Sequence, residues 1–220
     1  MFKFQFSAPV PKRLHRSPAA GKSGFTIIEL MIATVVFSMI LLLISYGVIR
    51  FNQAYYGGTV QSQTQTVARA VLENISQAVQ FNGGTVDPGI AGTGGWQGLC
   101  VGDEQYQYLL GKQLTTSGAL GPNQSNHVLL LNANVANCSG QRPGNTLAGT
   151  ELLGEHMRLS NLVVSQVGSS SLWKIEVRVV YGDDVLLNNP TSTTASCLGG
   201  DGSEFCAVSD LTTIVQQRIN

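Results

Sequence analysis

An α+β protein, in which one long N-terminal α-helix packs against an antiparallel β-sheet headgroup, is the architecture this sequence predicts, and three patterns predict it. Residues 25–49 form an apolar run with one ionisable side chain, Glu29. Residues 51–81 contain no proline and repeat apolar side chains at helical spacing. Farther on, Gly/Asn/Ser-rich stretches separate short alternating runs, the clearest at 172–181.

The chain opens on a basic segment, 1–24, with Lys3, Lys12, Arg13, Arg16 and Lys22 and no acid. The 25 residues that follow, 25–49, would cover about 38 Å as a helix at ~1.5 Å per residue, more than the ~30 Å hydrocarbon core of a bilayer. Basic flanks stay cytoplasmic, so the N-terminus is expected inside and everything after residue 49 outside. A carboxylate in hydrocarbon costs at least a few kcal/mol unless it is paired. Glu29 should therefore meet something positive.

The helix should continue through an amphipathic half, 51–82. Val60, Val67, Val71, Ile75 and Val79 form a stripe that Ala68, Leu72 and Ala78 widen, while Gln61, Gln63, Gln65, Arg69, Glu73 and Gln77 line the other face. Asn82-Gly83-Gly84 is the expected stop, because glycine supplies a left-handed cap. Gly57-Gly58 is the expected weak point: each glycine costs about 1 kcal/mol relative to alanine, so a bend or local melting is expected over 54–59.

Residues 83–220 make up the exported headgroup. Within it, Trp173, Ile175, Val177, Val179 and Tyr181 should share a dry face while Lys174, Glu176 and Arg178 face water. Residues 158–167 read as the partner strand across a 168–171 turn. Short strands are expected at 106–110, 127–131 and 211–215, and loops at 83–98, 133–150 and 188–203.

Four cysteines, Cys100, Cys138, Cys197 and Cys206, fall on the exported side, where disulfides persist. They permit three pairings. Cys197 with Cys206 and Cys100 with Cys138 are favoured, because local loops need the least closure. The absence of a CxxC pair or helpful histidine spacing argues against zinc.

Net charge is zero, yet the first 24 residues hold five of the 13 basic side chains and none of the 13 acids. The remainder is acidic, which argues against nucleic acid as a partner. No nucleophile motif, metalloprotease motif or phosphate loop is present. His127 and His156 read as surface or satisfied residues. Asp183-Asp184 and the 201–204 segment read as turns, with calcium as a minor alternative. No cofactor, no metal and no enzyme activity are expected.

Lys22-Ser23-Gly24 followed by Phe25-Thr26-Ile27-Ile28-Glu29-Leu30 resembles the class III leader of type IV prepilins and type II secretion pseudopilins. The resemblance implies cleavage between Gly24 and Phe25 by prepilin peptidase, N-methylation of Phe25, and Glu29 as the recognition carboxylate of assembly. It further implies a structural role, as a minor pilin or pseudopilin, with sibling subunits and an inner-membrane assembly platform as partners. The precursor would cross the inner membrane once, then join a filament at the surface or in the periplasm. The chemistry agrees: cleavage frees an amine about one helical turn from Glu29, and a neighbour's amine could neutralise that carboxylate and set axial register. A membrane-anchored adhesin, with the helix serving only as a tether, is the alternative.

Overall fold

The computed structural model describes residues 24–114, 127–135 and 149–218. One helix, α1, occupies Ile27–Phe81. The chain divides between Gly47 and Val48, and each part is taken in turn.

In the first part every described residue is exposed, and the helix is long and apolar enough to cross a membrane. Its hydroxyls are satisfied locally. Thr34 donates to the Met31 carbonyl at 2.9 Å and Ser38 to the Thr34 carbonyl at 2.7 Å, so neither leaves an unpaired donor in an apolar surrounding.

The second part, Val48–Asn220, begins with the rest of α1. Val60, Ala68, Val71, Ile75, Ala78 and Val79 are buried there, as is Thr64, whose hydroxyl bonds the Val60 carbonyl at 2.8 Å. The helix passes through Gly57-Gly58 without a break, contrary to the local melting expected as one outcome at 54–59. A Cβ at Gly57 would lie 3.8 Å from Glu204 Cα, so the headgroup lies against the helix at this glycine. Tertiary contact of this kind outweighs intrinsic propensity. The stop falls where expected, with Gly83 at φ +59°. Gly84 then crosses Gly102 so closely that a Cβ at Gly84 would stand 2.4 Å from Gly102 Cα. Gly84 has no room for a side chain, and Gly102, at φ +60°, would bring a Cβ to 3.1 Å from Asn82.

Two principal antiparallel sheets follow, not one. The first runs β1 (Val86–Ala91), β2 (Trp96–Val101), β3 (Glu104–Leu109), β4 (Leu129–Asn132) and β5 (Thr150–Glu151) in sequential order. The second uses β6 (Met157–Gln166), β7 (Leu172–Tyr181) and, beyond the short ribbon of β8 (Leu187–Asn188) with β9 (Ser196–Cys197), β10 (Ala207–Gln216), in the order β10-β7-β6. A bridge between Gln113 and Arg158 links the segment after β3 to β6. The stretch 83–98, expected as loop, instead holds β1 and the start of β2. Pro88 and Gly89 sit where the β1 register shifts, between Asp87 and Ile90. Proline is compatible with an edge strand and a bulge, since neither needs its missing N–H. The terminal strand expected at 211–215 is ten residues long, because its whole length pairs with β7.

The core unites the α1 stripe with both sheets: Ala68, Val71, Ile75 and Val79 pack with Leu99, Tyr106, Leu159, Ile175, Val177 and Val179. Tyr106 also donates to Asn74 on the helix at 2.6 Å. The outer face of β7 is less wet than the alternation implied. Lys174, Glu176 and Arg178 are half-buried, and Val180 is fully buried in a second cluster with Leu187, Ala195 and Cys206. The 182–206 segment covers that end of the sheet.

Arg158 holds this cover in place. Its side chain is 1% exposed, ion-paired to Asp184 at 2.6 Å, and donates to the carbonyls of Gly182 at 2.9 Å and of Gly111 and Pro190 at 3.4 Å. Ser160, at the register shift of β6, adds a bond to the Ser192 carbonyl at 2.7 Å. Cys197 and Cys206 form a disulfide that closes the far end of the segment. No described cysteine is free, and the pairing of Cys100 with Cys138 concerns a residue outside the described ones.

Candidate processing and assembly site

The start of α1 is built by four residues. Gly24, Phe25 and Thr26 precede the first helical residue, Ile27, so the Gly24–Phe25 bond lies in non-helical, exposed chain. A protease needs an accessible bond outside regular structure, and this one is exposed and non-helical. A Cβ at Gly24 would meet nothing within 4 Å, so the fold itself sets no requirement for glycine there. Phe25 is 85% exposed.

Thr26 and Glu29 form a reciprocal capping box. The Thr26 amide and hydroxyl donate to Glu29 Oε2 at 2.9 and 2.8 Å, and the Glu29 amide donates back to Thr26 Oγ1 at 3.3 Å. Amides at a helix start lack intrahelical partners, and this pattern satisfies two of them. The carboxylate also sits in the first turn, where the positive end of the helix dipole favours it. Glu29 in the single chain is thus a bonded acceptor, not an orphan charge. Thr26 is the residue that sequence reasoning passed over. Its signal was readable: Thr-Ile-Ile-Glu is a T-x-x-E pattern ahead of an apolar run.

The remaining candidates lie in the headgroup and do not converge. His127 Nδ1 is 3.5 Å from Glu151. Glu151 accepts from the amides of Val128, Leu129 and Leu153 at 2.8, 3.0 and 3.2 Å. Burial nevertheless raises its pKa, opposed by those amides and by His127. His156, at φ +61°, stands 3.5 Å from Asp183. A Gln113 hydrogen bond at 2.8 Å is the first cause that lowers the Asp183 pKa. Asp184 is the partner of Arg158, while Asp201 and Glu204 border a cleft with Arg50 and Gln53. Among the described residues no group of three or more His, Cys, Asp or Glu side chains could hold a metal ion. Tyr108 has its pKa pushed up to about 12 by burial, and Tyr106 is raised further by burial beside Glu104. Both are core phenols.

Residues 20–45 match a family model described as the prokaryotic N-terminal methylation motif. This motif is characteristic of type IV pilins and pseudopilins. It spans the Gly24–Phe25 bond, the capping box and the exposed apolar turns that follow. Comparison with curated proteins and with solved structures finds no match. Motif and helix together support a pilin- or pseudopilin-like precursor anchored in a membrane.

Proposed function

We propose that the chain is the precursor of a filament subunit, a minor pilin or pseudopilin of a type IV pilus or type II secretion filament. Residues 1–24 are the leader, 25–50 the membrane-spanning and assembly half of the helix, 51–82 its amphipathic half, and 83–220 the exported headgroup. Prepilin peptidase cuts between Gly24 and Phe25 and methylates the new amine. The subunit then leaves the inner membrane through the assembly platform. The methylation motif, set on a fully exposed apolar helix, carries this reading.

Glu29 has two tasks in it. Within the chain its Oε2 completes the capping box; between chains its Oε1 accepts the liberated amine of a neighbour. Amine and carboxylate both lie in apolar surroundings once subunits bundle, and an unpaired charge there is expensive. A subunit out of register leaves one such group unmatched. N-terminal mass spectrometry of the protein from cells that contain an active prepilin peptidase tests the reading. A chain that begins at N-methylated Phe25 supports it, and an intact Met1 overturns it.

A further inference from the structure

Two polar side chains stand on the core-facing side of the first sheet. Gln97 and Tyr108 are directly opposed in the β2–β3 ladder, so both project to one face, the face that carries Leu99 and Tyr106 into the core. Tyr106 satisfies its hydroxyl on Asn74 and Glu104. Tyr108 does not. It is 2% exposed, its hydroxyl bonds no described residue, and burial alone raises its pKa. The Gln97 side chain also has no hydrogen-bond partner among the described residues. Buried polar groups in native proteins nearly all have one, so an unpartnered phenol at this depth calls for an explanation.

The space beside them is open. A cleft of about 290 Å³ lies between the first sheet and β6, walled by Leu99, Tyr108, Leu162 and Val164, with Gln97 and with Pro88 of the β1 bulge. At ~30 Å³ per water it has room for about ten waters or one ring-sized molecule, the lower end of the range for ligand pockets. Among the described residues no charged side chain lines it. The edge of β6 adds amide groups. The Val167 amide donates to the Leu172 carbonyl across the hairpin turn at 2.8 Å, and Gln166 then opposes Trp173, Val164 opposes Ile175 and Leu162 opposes Val177. Bonded and non-bonded pairs alternate along an antiparallel ladder, so the N–H and C=O groups of Leu162 and Val164 point away from β7. β6 is the last strand of its sheet, and no described strand pairs with them.

We propose that this cleft binds a compact, uncharged molecule that carries a carboxamide on an apolar ring or branched body. A carboxamide offers an acceptor and a donor side by side. Its carbonyl accepts from the Tyr108 hydroxyl, its N–H donates to the Gln97 side-chain oxygen, and its body packs on Leu99, Leu162 and Val164. A carboxylate of the same shape is rejected, because nothing in the lining answers its charge. Methyl-detected NMR of the full-length chain in detergent micelles, titrated with acetanilide, tests the proposal, since the methyl signals of Leu99, Leu162 and Val164 report on the cleft whatever fraction of the probe enters the detergent. Saturable shifts centred on these three residues are expected, with a dissociation constant in the millimolar range that about ten heavy atoms can give, and benzoate should not reproduce them. Tyr108→Phe keeps the ring and removes a hydroxyl that bonds nothing in the chain, so the fold should stand while acetanilide binds about three- to tenfold more weakly. Gln97→Leu, at a half-buried position, is the second variant should the first disturb the core, and a similar weakening is expected. Absence of shifts at the three residues up to the solubility limit of acetanilide overturns the proposal, as do shifts that neither variant weakens or that benzoate matches.

Discussion

Replacing Glu29 by glutamine and Thr26 by valine separates two roles that the capping box places on the same carboxylate. Glu29→Gln keeps an oxygen where the Thr26 amide and hydroxyl bond at 2.9 and 2.8 Å, and it removes the charge. Thr26→Val keeps the charge and removes the side chain that accepts the Glu29 amide at 3.3 Å. Loss of an N-cap costs about 1 kcal/mol, roughly fivefold in an equilibrium at ~1.4 kcal/mol per decade. A buried charge stripped of its partner costs about 3–5 kcal/mol, over a hundredfold. The expected order is therefore wild type, then Thr26→Val somewhat reduced, then Glu29→Gln nearly absent. The assay is the ratio of sheared filament to membrane pool, by immunoblot, in cells that contain the peptidase and the assembly machinery. Both variants should insert and be cut normally, since neither removes an apolar side chain from the span or alters the Gly24–Phe25 bond. Wild-type incorporation of Glu29→Gln would refute the intersubunit role, and an equal, severe loss in both variants would show that helix capping alone explains the requirement.

Other consequences follow from single positions. Gly24→Leu should abolish conversion of precursor to mature chain without altering the fold, because no atom lies within 4 Å of a Cβ there; an unchanged ratio on a gel counts against the cut site. Gly58→Ala should stabilise the protein by about 1 kcal/mol, a rise of roughly 2–4 °C in the melting temperature, since a Cβ at Gly58 also meets nothing within 4 Å. Arg158→Met should cost about 1–3 kcal/mol in denaturant unfolding of the purified full chain, because three carbonyls lose their donor while Asp184 stays exposed to water; a loss within experimental error would mean that the 182–206 segment is held without it. Glu151 sets a pH dependence. Its folded pKa is raised above the ordinary 4.5, chiefly by burial, so its contribution to stability is fully present below that value and falls as pH rises through the raised one. Glu151→Gln should flatten that slope in melting temperature, and an unchanged slope refutes the assignment.

Periodicity made the helix and the central hairpin legible because each buries one stripe. Val71, Ile75 and Val79 on α1 and Ile175, Val177 and Val179 on β7 meet in a single core, and a 3.6-residue or two-residue repeat encodes such a face directly. The first sheet was harder to read. β2 is buried along most of both faces, so its Leu99-Cys100-Val101 run shows no alternation, whereas β3 does alternate as Gln105-Tyr106-Gln107-Tyr108 although both glutamines are buried. Pro88-Gly89 read as a loop because a bulge on an edge strand uses the same residues as a turn. At the candidate site, Glu29 stood out as an acid in an apolar run, whereas Thr26 is legible only when the T-x-x-E capping pattern is looked for ahead of that run. Arg158 was unreadable for a different reason: its partners are three carbonyls far apart in sequence, at Gly111, Gly182 and Pro190.

The disulfide loop gives Gly57 a physical role that propensity alone cannot. The buried stripe of α1 begins at Val60, and one turn earlier the helix meets the headgroup through Phe205 on Tyr56 and Glu204 on Gly57. Both contacts come from the loop closed by Cys197 and Cys206, and the other end of the 182–206 segment is fixed by Arg158 and Ser160 on β6. A mobile loop at this point would leave about one more turn of helix without a partner. Its closure restrains the chain in the unfolded state and fixes where the covered half of the helix starts. The headgroup contact at Tyr56 and Gly57 thus lies on the helix segment where propensity alone placed its weak point.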